Sequence, residues 1–283
     1  MPRSANPTAA GARRTRRIAT ITTALLLAGA AVASAHDMFA KPARFFVDEN
    51  AELLVRVLNG TFSKSENSIA RARVRDISVV APDGRRQLDT AQWRAEGDTS
   101  AFRVTVGAAG TYVLGASTTA NVIALEAKDF NLYLREDGVP DVLEARRKAG
   151  ELDRPARERY AKHVKALVQV GQARSDHFAT ELGYPAELVP LDNPYALPAG
   201  RVLRVRTLVD GTPAANQFVL YGGRTPGGDR IAQRSVRSDT AGVARVPLRG
   251  PGTWYVKFIN MRRVQGDTVD YESKWATLTF QVR

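Results

Sequence analysis

The chain has 283 residues, a formal net charge of +12 at pH 7 and no cysteine. This length allows one large domain or two smaller ones, and the lack of cysteine excludes a disulfide scaffold and a thiolate metal site. Basic and acidic residues alternate along the chain, which argues against the concentrated basic patch of a nucleic-acid-binding protein.

Residues 1–35 have the composition of a secretory signal peptide. Residues 1–17 contain five arginines and no acid, residues 18–32 form an uncharged apolar run, and Ala33 and Ala35 occupy the −3 and −1 positions of a cleavage site. The run is shorter than the roughly 20 residues of a membrane span, so an uncleaved anchor is the less favoured alternative. We predict cleavage after Ala35, export to the periplasm and no transmembrane segment in the mature chain, whose net charge falls to +7 because five arginines are lost.

The region before residue 126 has a strand pattern. Residues 51–60, 74–88 and 102–114 are rich in β-branched residues, and turn residues such as Pro82, Asp83 and Gly84 divide them. Short strands separated by regular turns predict an antiparallel sandwich.

In the middle of the chain, the spacing of apolar residues changes from that of a strand to that of a helix. Residues 139–171 are rich in Ala, Leu, Glu, Lys and Arg, and they predict one helix that ends near Gly150 and a second helix over residues 155–170. Residues 178–200 contain several prolines and turn residues, and they predict an irregular linker.

Strand patterns return from residue 201, with turn residues at Asp210-Gly211 and a closing strand over residues 275–283. We therefore predict a mainly β protein with two immunoglobulin-like or transthyretin-like antiparallel β-sandwich domains and a short helical insert between them. The predicted divisions are a signal peptide (1–35), an N-terminal β-sandwich domain (36–135), a helical insert and linker (136–198), and a C-terminal β-sandwich domain (199–283).

Cleavage after Ala35 would place His36 at the amino terminus of the mature chain. The terminal amine and Nδ1 of such a histidine can close a chelate on one metal ion, and nitrogen donors of this kind suit Cu(II) and Ni(II). Asp37 could add a carboxylate. The alternative is that the cleavage site tolerates any residue in this position, in which case His36 has no chemical role.

The other candidate residues favour structural interpretations. His163 is predicted on the second helix and His177 near the end of the helical insert, where the helix dipole favours a histidine. Asp270 and Glu272 are predicted as solvated loop charges, and Tyr271, Trp254 and Trp275 as core aromatics.

Several segments resemble a family of periplasmic proteins. The stretches "SAHDMFAKPARF", "ELVPLDNPYALPAG" and "DYESKWATLTFQV" are similar to the family often labelled nickel transport complex, NikM-like subunit. The resemblance implies a role in metal delivery at the cell envelope, with a membrane metal transporter or another envelope protein as partner. It also implies a histidine in an "IHM"-like stretch, where this chain has Asn260.

The sequence thus predicts a non-enzymatic exported protein for transition-metal uptake or handling, with His36 and Asp37 as candidate ligands and nickel, cobalt or copper as the candidate metal. No hydrolase, P-loop or H-E-x-x-H pattern is present. The alternative is a structural module that binds protein or carbohydrate and has no metal site. A copper enzyme with an amino-terminal histidine brace is the third hypothesis, and it requires His163 or His177 beside His36.

Overall fold

A computed structural model describes residues 36–198 and 200–283, and the predicted signal peptide lies outside the described residues. The chain is mainly β, as predicted, with mostly antiparallel sheets packed face to face. Within the described ranges the strands are β1 (Asp37–Pro42), β2 (Phe46–Val47), β3 (Glu52–Gly60), β4 (Val74–Ala81), β5 (Gly84–Gln87), β6 (Arg94–Glu96), β7 (Thr99–Thr105), β8 (Gly110–Thr118), β9 (Asn121–Leu125), β10 (Ala156–Val170), β11 (Ala186–Pro190), β12 (Val202–Val209), β13 (Thr212–Pro213), β14 (Phe218–Arg224), β15 (Arg230–Arg237), β16 (Val243–Pro247), β17 (Gly252–Arg263) and β18 (Tyr271–Val282).

The same ranges contain two α-helices, α1 (Ala127–Glu136) and α2 (Pro140–Lys148). Helix α2 confirms the predicted helix that ends near Gly150: Pro140 lies in its first turn, and Gly150, just beyond its end, has a φ of 67°. No helix in the described part of the chain is long and apolar enough to cross a membrane.

The central sheet takes strands from both predicted β regions. Its described strands run in the order β15-β14-β17-β18-β10-β8-β4-β5, and β2 and β9 also pair with β10. Strand β10 pairs in parallel with β18, so that Glu158 lies opposite Tyr271 and Ala166 opposite Thr279. The N-terminal and C-terminal halves of the chain therefore meet at β10.

The helix predicted over residues 155–170 is wrong, because this segment is strand β10. Its last nine residues are all buried, since both faces of the strand are covered. A strand buried on both faces loses the alternation of apolar and polar residues that identifies a half-exposed strand. Lys162 and Lys165 also made a buried strand hard to recognise, because charged residues are seldom buried. Their partners, Asn59 and Glu187, are distant in sequence.

Two smaller sheets and the helices cover the central sheet. The sheet β1-β3-β7-β6 packs on the β10 face that carries Val164 and Val168. The sheet formed by β11, β12, β13 and β16 packs on the opposite face, which carries Leu167. Helices α1 and α2 cover Tyr271 and Trp275 of β18, so both aromatics are core residues, as predicted.

The segment 178–200, predicted to be irregular, contains one further strand. Strand β11 pairs antiparallel with β12, with Leu188 opposite Thr207. Pro190 ends β11, which lies at the edge of its sheet, where a proline is tolerated because the missing N–H faces away from the neighbouring strand. The turns predicted at 82–84 and at Asp210-Gly211 are confirmed, because they join β4 to β5 and β12 to β13.

Candidate functional site

Strand β1 brings the candidate ligands onto the face of the central sheet. It is hydrogen-bonded to β3 and packs across β10 and β18, and the Thr277 hydroxyl donates to the Met38 carbonyl at 2.8 Å. Successive side chains of a strand point in opposite directions, so His36 and Asp37 diverge. The structure places them in two different cavities.

The His36 imidazole is oriented by a carboxylate. Its Nε2 lies 3.2 Å from Oε2 of Glu66. Burial lowers the pKa of His36, and the opposing charge of Glu66 offsets only part of that shift. A neutral ring that donates Nε2–H to Glu66 leaves the lone pair on Nδ1.

Lys162 of β10 holds the backbone of His36. Its side chain is nearly inaccessible to solvent, with the whole residue 6% exposed. The ammonium donates to the His36 carbonyl and, at 2.9 Å, to Oδ1 of Asn59. Burial lowers the pKa of Lys162 to about 8. Both hydrogen-bond acceptors are neutral, so no carboxylate of the described residues is bonded to this buried cation.

A cavity of about 430 Å³ opens beside His36 and Lys162, and we call it the N-terminal pocket. Arg73 and Lys162 give its lining positive charge, the rings of Tyr160 and Trp275 form aromatic walls, and Ile69 and Ile123 add apolar surface. Among the described residues, no aspartate or glutamate lines this pocket.

Asp37 belongs to a separate ion cluster. Its carboxylate pairs with Lys257 of β17, whose ammonium also lies 3.0 Å from Oδ1 of Asp137. Burial raises the pKa of Asp37 to about 6. Burial alone would lower the pKa of Lys257, but the two carboxylates outweigh it and raise that pKa. One oxygen of the Asp37 carboxylate is thus paired with Lys257, and the other, Oδ1, is buried with no hydrogen-bond partner among the described residues.

The remaining histidines are not assembled with His36. His163 is adjacent to Lys162 on β10 and therefore faces the other side of the sheet, where its Nδ1 lies 2.8 Å from the Ser117 hydroxyl. Burial lowers the pKa of His163 to about 3. The Nδ1 of His177 lies 3.0 Å from the hydroxyl of Ser175. A histidine brace formed with His36 is therefore not present among the described residues.

The two acidic residues of the tail segment, predicted as solvated loop charges, form contacts with β10 and β17, and Glu272 lies in β18 rather than in a loop. The Asp270 carboxylate accepts the backbone N–H of Arg157 at 2.7 Å, and Glu272 pairs with Arg262 and lies 3.5 Å from Arg159. These contacts link the β17–β18 loop region to β10. They do not bring either carboxylate to His36.

Within the described ranges, no three His, Cys, Asp or Glu side chains are grouped to hold a metal ion. The arrangement around His36 therefore offers few protein donors: Nδ1 and, after cleavage, the terminal amine. Sequence reasoning missed Glu66 and Lys162, which orient this residue. The available signal was a lysine pair inside an apolar segment, "AKHVKALVQV", which lies within the predicted second helix.

The family described as domain of unknown function (DUF4198) matches residues 33–262. The chain belongs to the DUF4198 family. A comparison with curated proteins gives no match. Because the DUF4198 description assigns no activity, the nickel-transport label stays a prediction.

Proposed function

We propose that the mature protein is an exported periplasmic binding protein that holds a transition-metal ion at His36 and catalyses no reaction. The signal-peptide pattern of residues 1–35 supports export. The orientation of His36 supports metal binding and is the observation on which the proposal rests.

The contact between Glu66 and His36 selects the nitrogen that a metal would use. Ligating histidines commonly donate their other ring N–H to a carboxylate, which fixes the tautomer and raises ligand basicity. Glu66 accepts from Nε2 at 3.2 Å. The free nitrogen is then Nδ1, which is also the nitrogen that can chelate together with the terminal amine.

Hydrogen bonds hold the backbone at His36 and two residues after it. Lys162 donates to the His36 carbonyl and Thr277 to the Met38 carbonyl. Holding the backbone reduces the conformational entropy that a flexible terminus would lose on binding. A fixed terminus favours a defined chelate over the loose binding of a disordered tail.

The protein offers the metal ion few donor atoms, and a site of this kind suits transient binding and transfer of the ion better than permanent storage. The amine and Nδ1 would hold Cu(II) or Ni(II), while Asp37 is left out because it lies in a different cavity, where it pairs with Lys257. The remaining coordination positions would be open to a ligand or to a partner protein. A membrane metal transporter or another envelope protein is the proposed recipient.

Titration of Cu(II) and Ni(II) into periplasmically matured protein tests the proposal, with the N-terminus at His36 checked by intact mass. We expect one-to-one binding that is lost when one extra residue precedes His36, because that residue removes the amine from the chelate. Equal binding by the two proteins would contradict the proposal and favour the alternative of a structural or interaction module.

A substitution at Glu66 tests the orienting contact separately. We expect Glu66→Gln to weaken metal affinity by about 10- to 100-fold, as loss of an orienting carboxylate does. Glu52→Gln is the matched control, since Glu52 is an exposed glutamate of β3 paired with Arg103. A loss in the control as large as that at Glu66 would argue against an orienting role.

A further inference from the structure

The N-terminal pocket contains more positive charge than its own contacts neutralise. Lys162 and Arg73 line it, and no described lining residue is acidic. A buried cation without a paired anion is costly. The carboxylates whose charge acts on Lys162, those of Asp37, Asp137 and Glu158, do not line the pocket, and among the described residues none is hydrogen-bonded to Lys162.

Lys162 has hydrogen-bonding capacity left. An ammonium has three N–H donors, and among the described residues Lys162 uses two, on His36 and Asn59. The same nitrogen lies 5.0 Å from the centre of the Trp275 ring and 5.3 Å from that of Tyr160. These rings offer the cation only weak stabilisation in place of a full charge partner.

Arg73 adds a second unfilled donor. Its terminal nitrogens lie 3.4 Å from the Tyr160 hydroxyl and 3.1 Å from the Thr119 carbonyl. Each of these nitrogens carries two N–H groups and uses one of them among the described residues, and the buried Nε has no partner there either. Lys162 and Arg73 therefore provide two cationic side chains with free N–H groups in one cavity, which is the chemistry that binds an anion.

The walls indicate the kind of anion. Ile69, Ile123 and the rings of Tyr160 and Trp275 line the same cavity. The Trp275 ring is fixed, because it stacks on Tyr133 with 5.6 Å between ring centres and 8° between planes. A space of about 430 Å³ is large for an inorganic anion and lies in the range of small-molecule sites, which combine apolar walls with a few polar groups.

We propose that the N-terminal pocket binds a small organic acid, with a carboxylate on Lys162 and Arg73. The inference extends the proposed function, because such an acid could also complete the coordination of a metal held at His36. It does not depend on that metal, since the pocket's charge and donors are present without it.

The test is calorimetric titration of citrate into metal-free mature protein. We expect binding with a Kd below about 1 mM. Arg73→Gln should weaken it at least about fivefold and Lys162→Met at least about tenfold, as expected for charge-assisted hydrogen bonds. Arg71→Gln is the matched control: Arg71 belongs to the same turn, is exposed and does not line the pocket.

Three results would overturn the inference: no citrate binding, equal losses in Arg71→Gln and Arg73→Gln, or inorganic phosphate bound as tightly as citrate. Because Lys162→Met could disturb folding, Arg73→Gln gives the decisive comparison. Titrating Ni(II) without citrate into the same protein separates the two proposals. Citrate binding without metal binding would support the organic-acid site and contradict the proposed metal function. Metal binding without citrate binding would support the metal function and contradict the organic-acid site.

Discussion

Lys162 and Lys165 are three residues apart on β10, and both are buried, yet their surroundings differ. Lys165 is 2% exposed, pairs with Glu187 and donates to the Thr180 and Leu188 carbonyls at 3.1 and 3.3 Å. Every N–H of Lys165 therefore has an acceptor, one of them a carboxylate. Lys162 has two neutral acceptors and faces a cavity.

The comparison distinguishes a charged side chain that stabilises the fold, Lys165, from one that is able to bind a ligand, Lys162. Glu187 also accepts backbone N–H groups of Leu182 and Gly183, so the ion pair ties a loop to β10. On the other face, Lys162 holds the terminal strand but keeps a free donor. A buried cation whose charge is unpaired is a stronger indication of a binding site than one whose charge is paired.

The largest effect is expected at the paired lysine. Lys165→Met should lower the free energy of unfolding by about 3–5 kcal/mol, because it leaves the Glu187 carboxylate buried without its cation. Urea unfolding at pH 7 measures this value. A loss below about 1 kcal/mol would mean that the pair contributes little and that the two lysines are equivalent.

The same face of β10 should respond to acid through His163. Burial lowers the pKa of His163 to about 3 from 6.5, so between these values the unfolded chain binds a proton that the folded protein excludes. The free energy of unfolding should then fall as the pH falls, by about 2 kcal/mol at pH 5 relative to pH 8.

Comparison with His163→Gln isolates this contribution, since the other titrating groups are common to both proteins. Urea unfolding at the two pH values should show a drop about 2 kcal/mol larger in the native sequence than in the variant. Identical pH dependence in the two proteins would contradict a buried neutral His163.

The smallest effect on stability is expected at the unpaired lysine. Lys162→Met should cost about 1 kcal/mol, because it removes two hydrogen bonds to neutral acceptors but also a desolvated charge. Urea unfolding, run beside Lys165→Met, gives the comparison. A loss as large as at Lys165 would show that Lys162 is a structural charge and would weaken its assignment as a binding group.

The sequence predicted much of the β structure because runs of β-branched residues bounded by turn residues mark a strand even where, as in β8, every residue is buried. Residues 74–88 and 102–114 became β4, β5, β7 and β8, with turn residues between them. The helix predicted over residues 155–170 was wrong. A strand covered on both faces shows no alternation of apolar and polar residues, and the lysines of β10 resemble those of a helix surface. The candidate site was partly predicted: His36 was identified, while its partner Glu66 was not.

The sequence by itself determined the mainly β class, the pattern of an export signal and the scarcity of histidine that drew attention to residue 36. Only the tertiary structure decided that His36 meets Glu66, that Asp37 pairs with Lys257, and that Lys162 faces a pocket without acids. The physical reason is that local patterns report which face of an element is buried. Ion pairs can join residues more than a hundred positions apart, as Lys257 and Asp37 do. Which charged residues meet depends on how the sheets pack.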